Sequence, residues 1–388
     1  MTPASIALVV IVRNEADRIV SFIDNHAALV DEIIILDTGS SDDTISLASA
    51  TGATVHQYVW DDDFSAARNA ALNFAKSNYA LCIDADERIA DSDFSRLREA
   101  ASRPGQCYVM PQRNYYNDPR HPEWQPLKGE YPKEETGQSG FFEARNTKFF
   151  DLSCGLQFEE RVHESVIESA NRNYIPIVWL DVPIHHYGYV ISEQHNLARH
   201  TRYLSLLERK YRENPDDIKT TEEYATQLIQ MGNANLAIPL LTRLDAVLGA
   251  NSHVARGRLL LAQLKKAQGK AAEAEALFLR AVKNAPDYLY AHVQLLRHLA
   301  DEKKFVLMAP WLDDALARFG EDAQLLQVQS RYLIETRQIH DAARVTRKVA
   351  MLYPSLPEYA QLATRCEALS RKIREMESTG QGAGEPPG

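Results

Sequence analysis

The chain has 388 residues, enough for two or three domains that each bury a core. It is 45% hydrophobic and 25% charged, as folded globular proteins are, and its net charge of −10 excludes a general nucleic-acid binder, which needs a Lys/Arg surplus to neutralise phosphates. The cysteines Cys82, Cys107, Cys154 and Cys366 fall in no CxxC spacing, so free thiols in a reducing compartment are expected rather than a disulfide framework or a structural zinc.

The first element is a strand-like run, Ile6 to Val12. It is too short for a signal-peptide core, and no basic segment precedes it. No apolar stretch approaches the ~20 residues that cross a bilayer. The expectation is a cytoplasmic protein without a transmembrane segment, compatible with peripheral contact at the inner face of the membrane. Further β-branched runs follow at Glu32–Leu36, Thr54–Val59 and Ala80–Ile83, with helical patterns between them at Ala16–Leu29, Asp42–Thr51 and Phe64–Lys76. Ser41 is placed to cap the second helix, and Gly52 to stop it. Strand and helix alternating in this way predict parallel βαβ units in an open α/β sheet, whose ligands sit at the carboxyl ends of the strands. The residues that follow each run therefore carry the interest: Arg13-Asn14-Glu15, Asp37-Thr38-Gly39-Ser40, Trp60-Asp61-Asp62-Asp63 and Asp84-Ala85-Asp86-Glu87.

Residues 104 to 190 read as a mixed segment. Pro, Gly, Asn and aromatic residues dominate 111 to 142, which predicts a long loop. Its rings Tyr115, Tyr116, Trp124 and Tyr131 are candidates for an acceptor lid that stacks on sugar. Strand-like pieces follow at Phe141–Phe150, Arg161–Val166 and Ile177–Tyr187, then a charged amphipathic helix from Ser192 to Arg212.

From about 217 onward strand signals cease and a repeat begins. Gly269, Ala274, Phe278, Ala281 and Pro286 sit at the spacing of the tetratricopeptide pattern, and Arg337, Ala342, Thr346, Val349 and Pro354 repeat it. The two prolines lie 354 − 286 = 68 residues apart, twice the period of about 34. A degenerate copy with Ala315 in phase lies between them, and an earlier one near Gly232 and Ala237 is slightly out of phase. Stacked hairpins give a solenoid with a concave face suited to a peptide or a partner protein. The predicted organisation is a first domain over 1–212, repeats over 217–372 and a disordered tail over 373–388.

Asp84 and Asp86 flank one residue at a strand end, where both carboxylates face a cleft. Hard oxygen ligands of this kind bind Mn²⁺ or Mg²⁺, which then bridges substrate phosphates. Asp37 closes the second strand, poised to accept from a base N–H or a ribose hydroxyl, beside Gly39, which permits close backbone approach. The string Asp37-Thr38-Gly39-Ser40 also spells the aspartic-protease signature, but that chemistry needs a second copy and an all-β frame, and neither is present. Asp61, Asp62 and Asp63 read as helix-capping anions rather than a second metal site.

Taken together and in order, Val10 to Glu15, Asp31 to Thr44, Trp60 to Asn69 and Asp84 to Glu87 resemble family 2 glycosyltransferases of the GT-A fold, over roughly residues 5 to 210. Within that family the chain is similar to the branch with tetratricopeptide repeats, which includes the SunS-type bacteriocin peptide glycosyltransferases. Its catalytic half also resembles lipopolysaccharide-core glucosyltransferases. The resemblance implies inverting transfer from a nucleoside diphosphate sugar, a UDP- or GDP-sugar. It implies that Glu15 and Asp37 contact the nucleoside, that Asp84 and Asp86 hold ribose, diphosphate and metal, and that Arg68 and Asn69 line the same cleft. Arg145 to Phe150 resembles an Arg-x-Phe strand, Val162-His163-Glu164 a His-Glu element, and His185 to Tyr189 a His-Tyr-Gly-Tyr element.

Inverting transfer needs a carboxylate to take the acceptor's proton. Glu164 is the candidate base, with Glu159 and Glu160 as neighbours able to serve. His186 is a candidate third metal ligand or phosphate donor. Ile167 occupies the position where a zinc-protease motif would place its second His after His163-Glu164. The expected architecture is an α/β GT-A domain followed by an all-α tetratricopeptide solenoid. The expected function is a metal-dependent glycosyltransferase acting on a protein, peptide or saccharide acceptor, with a protein partner accommodated on the repeats. The alternatives are a repeat scaffold whose transferase domain is non-catalytic, and a nucleotidyltransferase. The latter needs an early Gly-rich phosphate loop, and residues 6 to 15 contain no glycine.

Overall fold

The computed structural model describes residues 4–378 other than 120, 122, 190–192, 248–250 and 355, and the backbone alone for 193–199. It divides into two compact units, Met1–Lys210 and Tyr211–Gly388.

In the first unit, β1 (Ile6–Val12), α1 (Ile19–His26), β2 (Glu32–Asp37), α2 (Thr44–Ala50), β3 (Thr54–Gln57), α3 (Phe64–Leu72) and β4 (Tyr79–Leu81) follow one another as the alternation predicts. The strands pair in parallel in the order β3-β2-β1-β4. Their near-continuous apolar sequences follow from burial on both faces. One core (Leu8, Val10, Ile19, Phe22) lies on one side of the sheet and another (Ala7, Val9, Ala67, Ala71) on the other. Gly52, with φ of +88°, follows α2 and ends it. The Ser41 cap is not formed: the backbone N–H of Ser41 instead donates to Asn14 Oδ1 at 2.8 Å. Asp42 Oδ1 serves the helix start, accepting from the Thr44 N–H at 3.0 Å.

The sheet then turns mixed. It continues through β5 (Glu87–Ile89), α4 (Phe94–Ala101), β6 (Cys107–Tyr115), β7 (Gln125–Pro126), β8 (Gly140–Asp151), α5 (Ile167–Arg172), β9 (Ile177–Trp179), β10 (Ile184–His186) and α6 (Glu193–Glu213). β8 lies antiparallel between β4 and β6, and β10 joins β6 to β5. The long loop expected over 111 to 142 is thus shorter at both ends. Two of its four rings are committed inward: Tyr115 and Trp124 are buried, Tyr115 Oη pairs with His185 Nδ1 at 2.7 Å, and Trp124 Nε1 donates to the Tyr116 carbonyl at 2.6 Å, while Tyr116 and Tyr131 are half-buried. A Cβ on Gly140 would overlap the Trp124 indole, so the ring is a core residue and not a lid. The strand expected at Arg161–Val166 is also absent. An isolated bridge, Glu159 to Ser165, closes a tight loop in which Glu160 and His163 adopt φ of +73° and +58°.

The second unit is helical throughout its described residues. Its hairpins are α7 (Ile218–Gln230) with α8 (Ala234–Asp245), α9 (Ser252–Ala267) with α10 (Ala271–Asn284), α11 (Leu289–Asp301) with α12 (Phe305–Phe319) and α13 (Ala323–Glu335) with α14 (Ile339–Leu352), followed by α15 (Pro357–Ser378). α10, α12 and α14 begin 34 residues apart, at 271, 305 and 339, and Ala274, Phe278, Ala281 and Ala342 are buried. The first copy is out of phase because α9 has 16 residues where α7, α11 and α13 have 13. α15 runs to Ser378, so residues 373–378, assigned to the tail on composition, are helical. Residues 379–388 of that tail lie outside the described residues.

One turn recurs in all four hairpins. Gly232, Gly269, Lys303 and Arg337 hold φ between +55° and +77°. After each, the next residue's N–H reaches five residues back, as Asn233 to Leu228, Lys270 to Lys265, Lys304 to Leu299 and Gln338 to Leu333 do, at 2.8 to 2.9 Å. This is the helix-terminating turn that glycine favours. Side chains at 303 and 337 pay the left-handed penalty. Lys303→Gly and Arg337→Gly should each stabilise the second unit by roughly 0.5–1 kcal/mol, read as a higher Tm. A fall in Tm would show that these side chains contribute more through their contacts than the turn costs.

Candidate functional site

The carboxyl ends of β1, β2 and β4 and the buried face of α3 build one cleft. The β1 and β2 ends are sewn together: the Asn14 N–H donates to Ser40 Oγ at 2.8 Å, and the Glu15 N–H to Thr44 Oγ1 at 2.7 Å. Asp37 Oδ1 accepts from the N–H groups of Gly39 and Ser40, both at 2.9 Å, while its buried Oδ2 has no hydrogen-bond partner among the described residues. Glu15 Oε2 lies 3.0 Å from Arg18 Nε. Burial pushes the Glu15 carboxyl up to about 7; Arg18 opposes this, and the charges of Asp86, Asp17 and Asp84 add to it.

Asp63 Oδ1 caps α3 by accepting from the Ala66 N–H at 2.9 Å, so the capping role expected of the trio falls to Asp63, while Asp62 accepts from Trp60 Nε1 at 2.7 Å. The helix turns Arg68 inward, 5% exposed. Arg68 Nη2 donates to Asp84 Oδ1 and Arg68 Nε to Glu164 Oε1, both at 2.6 Å. Asp84 Oδ2 accepts from Lys148 Nζ at 2.9 Å. Burial disfavours the Asp84 anion, but Arg68 and Lys148 overcome that and hold its pKa well below the usual carboxylate range.

Asp86 faces His186, with Oδ2 3.4 Å from Nε2. His186 Nδ1 lies 2.7 Å from Asn114 Oδ1, so Nδ1 carries the proton and Nε2 points to Asp86. Burial disfavours the imidazolium, but the hydrogen bond and charge of Asp86 raise the His186 pKa on balance. A Cβ on Gly188 would lie 2.5 Å from His186 Nε2 and 2.7 Å from Asp86 Oδ2, so the backbone closes on this pair only because residue 188 is glycine.

The expected site residues divide. Arg68, Asp84 and Glu164 are joined directly, Asp86 joins His186, and Glu15 feels the charge of both aspartates. Asn69 is spent on the backbone, its amide exchanging hydrogen bonds of 2.9 and 2.8 Å with Phe158. Arg145 is exposed, with its guanidinium 5.4 Å from the Trp179 ring centre. His163 is exposed, with its ring 6.0 Å from that of Tyr203. Asp84, Asp86 and His186 do not form a three-ligand set. Among the described residues no group of three or more His, Cys, Asp or Glu side chains is arranged to hold a metal, and both Asp84 oxygens are taken by cations.

The sequence reading missed Lys148, Gln112 and Asn114, and named Glu87 after the fourth strand without giving it a role. Lys148 Nζ also donates to both Glu87 oxygens, at 2.9 and 2.8 Å, and Glu87 accepts in turn from the Asp84 N–H and from Gln112 Nε2, both at 2.8 Å. The pairing of β6 with β8 slips between Tyr108 and Met110, which oppose Phe149 and Asn146. Thr147 and Lys148 thus face one residue of β6, a bulge of the kind that re-aims side chains beside active sites. No short-range signal marks it. Glu87 was adjacent to the Asp84-Ala85-Asp86 string, and its burial was the missing information.

Residues 7–161 match the model of glycosyl transferase family 2. A TPR repeat-containing protein of Synechococcus elongatus is 28% identical over 240 residues, which cover 60% of this chain and 55% of that protein. The SPbeta prophage-derived glycosyltransferase SunS of Bacillus subtilis is 25% identical over 242 residues, covering 60% of this chain and 51% of that one. The chain thus spans about half the length of these curated relatives. An uncharacterized glycosyltransferase of Rickettsia felis is 34% identical over 85 residues, 22% of this chain and 30% of the relative. Among solved structures, the thermophilic TPR protein TTC0263 of Thermus thermophilus is 17% identical and covers 45% of this chain and 94% of its own, with a TM-score of 0.33. The match to glycosyl transferase family 2 lies within the first unit. The repeat reading of the second stands on its own 34-residue spacing.

Removing Arg68 would leave Glu164 without its ion pair and Asp84 with Lys148 alone. Arg68→Met should cost about 2–3 kcal/mol, less than for a fully enclosed pair because the Asp84 side chain is 37% exposed. Thermal melting followed by circular dichroism reads this loss. A Tm equal to wild type would show that the guanidinium does not hold the cleft together.

Proposed function

We propose that the chain is an inverting glycosyltransferase that moves a sugar from a UDP- or GDP-sugar to an acceptor hydroxyl or thiol, with a divalent cation at Asp86 and His186. The carrying observation is the Asp86–His186 pair, whose orientation is fixed by Asn114 behind and Gly188 in front. One carboxylate oxygen and one imidazole nitrogen 3.4 Å apart suit neighbouring positions on an ion with bonds of about 2.1 Å. Mg²⁺ and Mn²⁺ commonly take one or two protein ligands and complete their shell from substrate phosphates and water. The residues therefore fit such an ion, though with two ligands and not three. When bound, it offsets the diphosphate charge and stabilises the leaving group.

The chain's own residues supply the remaining steps. Asp37, with its free buried Oδ2, and Glu15 accept from the nucleoside. Glu164 takes the acceptor's proton as its oxygen or sulfur attacks the anomeric carbon and the bond to the diphosphate breaks. Arg68 on Glu164 Oε1 orients that carboxylate, and Glu164 Oε2 is the oxygen that receives the proton. The family match and the glycosyltransferase relatives support sugar transfer as the reaction class. The hairpin array supports a protein or peptide acceptor or partner. A saccharide acceptor is the other outcome the acceptor assay distinguishes. Among the described residues no helix is long and apolar enough to cross a membrane.

The test is a thermal-shift screen against UDP, GDP, CDP and their sugars, with and without Mn²⁺. One nucleotide should raise the Tm in a metal-dependent way. Asp86→Ala should abolish the metal-dependent part and donor hydrolysis. Glu164→Gln should keep donor binding while transfer falls by about 10²–10⁴-fold. No shift with any nucleotide would favour the scaffold alternative.

Glu15 adds a pH signature. Its carboxyl titrates near 7 in the ligand-free fold, so ionising it disfavours that fold as pH rises from the ordinary carboxylate value to about 7. A nucleoside that donates to Glu15 requires the ionised form and should bind more tightly as pH rises through about 7. Isothermal titration of the nucleoside diphosphate should show this rise in wild type and a flatter profile in Glu15→Gln. Identical profiles would remove Glu15 from the nucleoside site.

A further inference from the structure

We propose that a cavity on the side of the mixed sheet away from the cleft, bounded by Asp93, Arg96, Arg113 and Tyr131, is a second ligand site that takes a neutral saccharide. It is independent of the donor reading and holds whether or not the cleft turns over a nucleotide sugar.

The strands themselves keep the two sites apart. Side chains alternate along a strand, so β6 sends Gln112 and Asn114 to Glu87 and His186 in the cleft, while Arg113 between them faces the other side. β10 pairs His185 with Arg113 and His186 with Asn114, and divides in the same way. On that other side the Arg113 guanidinium lies 4.8 Å from the Tyr131 ring centre, and a cavity of about 450 Å³ opens beside them. This is within the roughly 300–1,000 Å³ of small-molecule sites. Asp93 and Arg96 flank the start of α4 and, with Asp181 and Pro183 before β10, complete its wall.

The charges decide the ligand. Arg113 Nη2 pairs with Glu130 Oε2 at 2.5 Å, Arg96 Nη2 bonds Asp93 Oδ1, and Arg96 Nη1 lies 3.8 Å from Asp181 Oδ2. Each carboxylate of the wall thus has a guanidinium, and each guanidinium a carboxylate. A phosphate would have to displace one of these acids and face the others, and an ammonium finds no unpaired anion. What remains is one donor and one acceptor. Arg113 Nε and Asp93 Oδ2 are buried and make no hydrogen bond of ordinary geometry among the described residues, and an unmade bond at a buried charged group is costly. A hydroxyl donates and accepts at once, so a polyol answers both needs. Pro183 and the half-buried Tyr131 add apolar surface for the C–H face of a sugar ring. Asp93 is fully buried while the side chain of its partner Arg96 is 45% exposed, so an outward swing of Arg96 is the step that admits a ligand hydroxyl to Asp93.

Saturation-transfer NMR of the full chain with the methyl glycosides of glucose, galactose, mannose and N-acetylglucosamine, at millimolar concentration, tests this. At least one glycoside should bind. Its affinity should fall about tenfold or more in Tyr131→Ala, which removes a wall of the cavity, and in Ser92→Trp, which fills the cavity from an exposed position. Ser92→Trp leaves Asp93 and Arg113 in place, and it decides the matter if melting shows that the Tyr131 variant does not fold. Binding by none of the four glycosides means that water alone satisfies the cavity and overturns the inference. Binding that survives in folded Ser92→Trp places the sugar elsewhere and overturns it too. Inorganic phosphate and spermidine serve as charged probes, and binding of either that Ser92→Trp abolishes would show that the site selects charge and not neutral hydroxyls. Failure of every nucleotide to bind the cleft would leave these outcomes unchanged.

Discussion

Arg68 presents two N–H groups to carboxylates that arrive from separate parts of the chain, Asp84 from the end of β4 and Glu164 from the loop before α5, each at 2.6 Å. A guanidinium is planar and forked, so it fixes the angle between its partners as well as their distance. A lysine would supply the charge without that angle. The position of Arg68 is set in turn by ordinary helix physics. Asp63 caps α3, and the helix period then places Ser65, Arg68 and Leu72 on its buried side. The end of β4 and the loop before α5 are thereby referenced to one rigid group.

The parallel half of the sheet was legible because each strand is buried on both faces and each connection is a helix, so periodicity changes sharply at every boundary. β1, β2 and β4 carry that signal, and the residues after them mark the cleft. The mixed half was harder to read for physical reasons. β5 is three residues long, and β6 carries Pro111, Gln112, Arg113 and Asn114, polar or helix-breaking residues that resemble a loop until their partners are known. Gln112 and Asn114 are buried because they bond Glu87 and His186, contacts between residues 25 and 72 positions apart. The aromatic residues of 111 to 142 suggested a sugar-stacking lid, yet Tyr115 and Trp124 fill the core. An aromatic ring is as apt for a core as for a platform, and only a neighbour such as Gly140, small enough to admit the indole, decides.

The repeats were legible by spacing and obscured at their turns. Tetratricopeptide recognition leans on glycine after the first helix, and two of the four turns use Lys303 and Arg337 instead. The same i to i−5 hydrogen bond forms in all four, so the backbone repeats where the sequence does not. The packing positions compensate. Met308, Leu312 and Ala315 of α12 occupy the places that Ala274, Phe278 and Ala281 hold in α10, and all six are buried. A large residue at 308 and a smaller one at 312 exchange volume across one helix face, which conserves packing while erasing the sequence signature.

The loops around the cleft carry the strain that regular elements avoid. Asn14, Asp62, Glu160 and His163, none of them glycine, hold φ between +57° and +73°. Each such residue costs about 1–2 kcal/mol. Three are fastened by their own side chains: Asn14 Oδ1 accepts from the Ser41 N–H, Asp62 from Trp60 Nε1, and Glu160 pairs with Lys210 Nζ at 2.5 Å. The fourth, His163, immediately precedes Glu164, and a left-handed residue there reverses the chain so that the Glu164 carboxylate turns back onto Arg68 instead of extending a strand. The apolar residues Val162 and Val166 that suggested that strand are buried on either side of the reversal. A pattern that reads as a β-strand thus anchors a loop, because what the cleft requires at residue 164 is a direction that extended backbone does not supply.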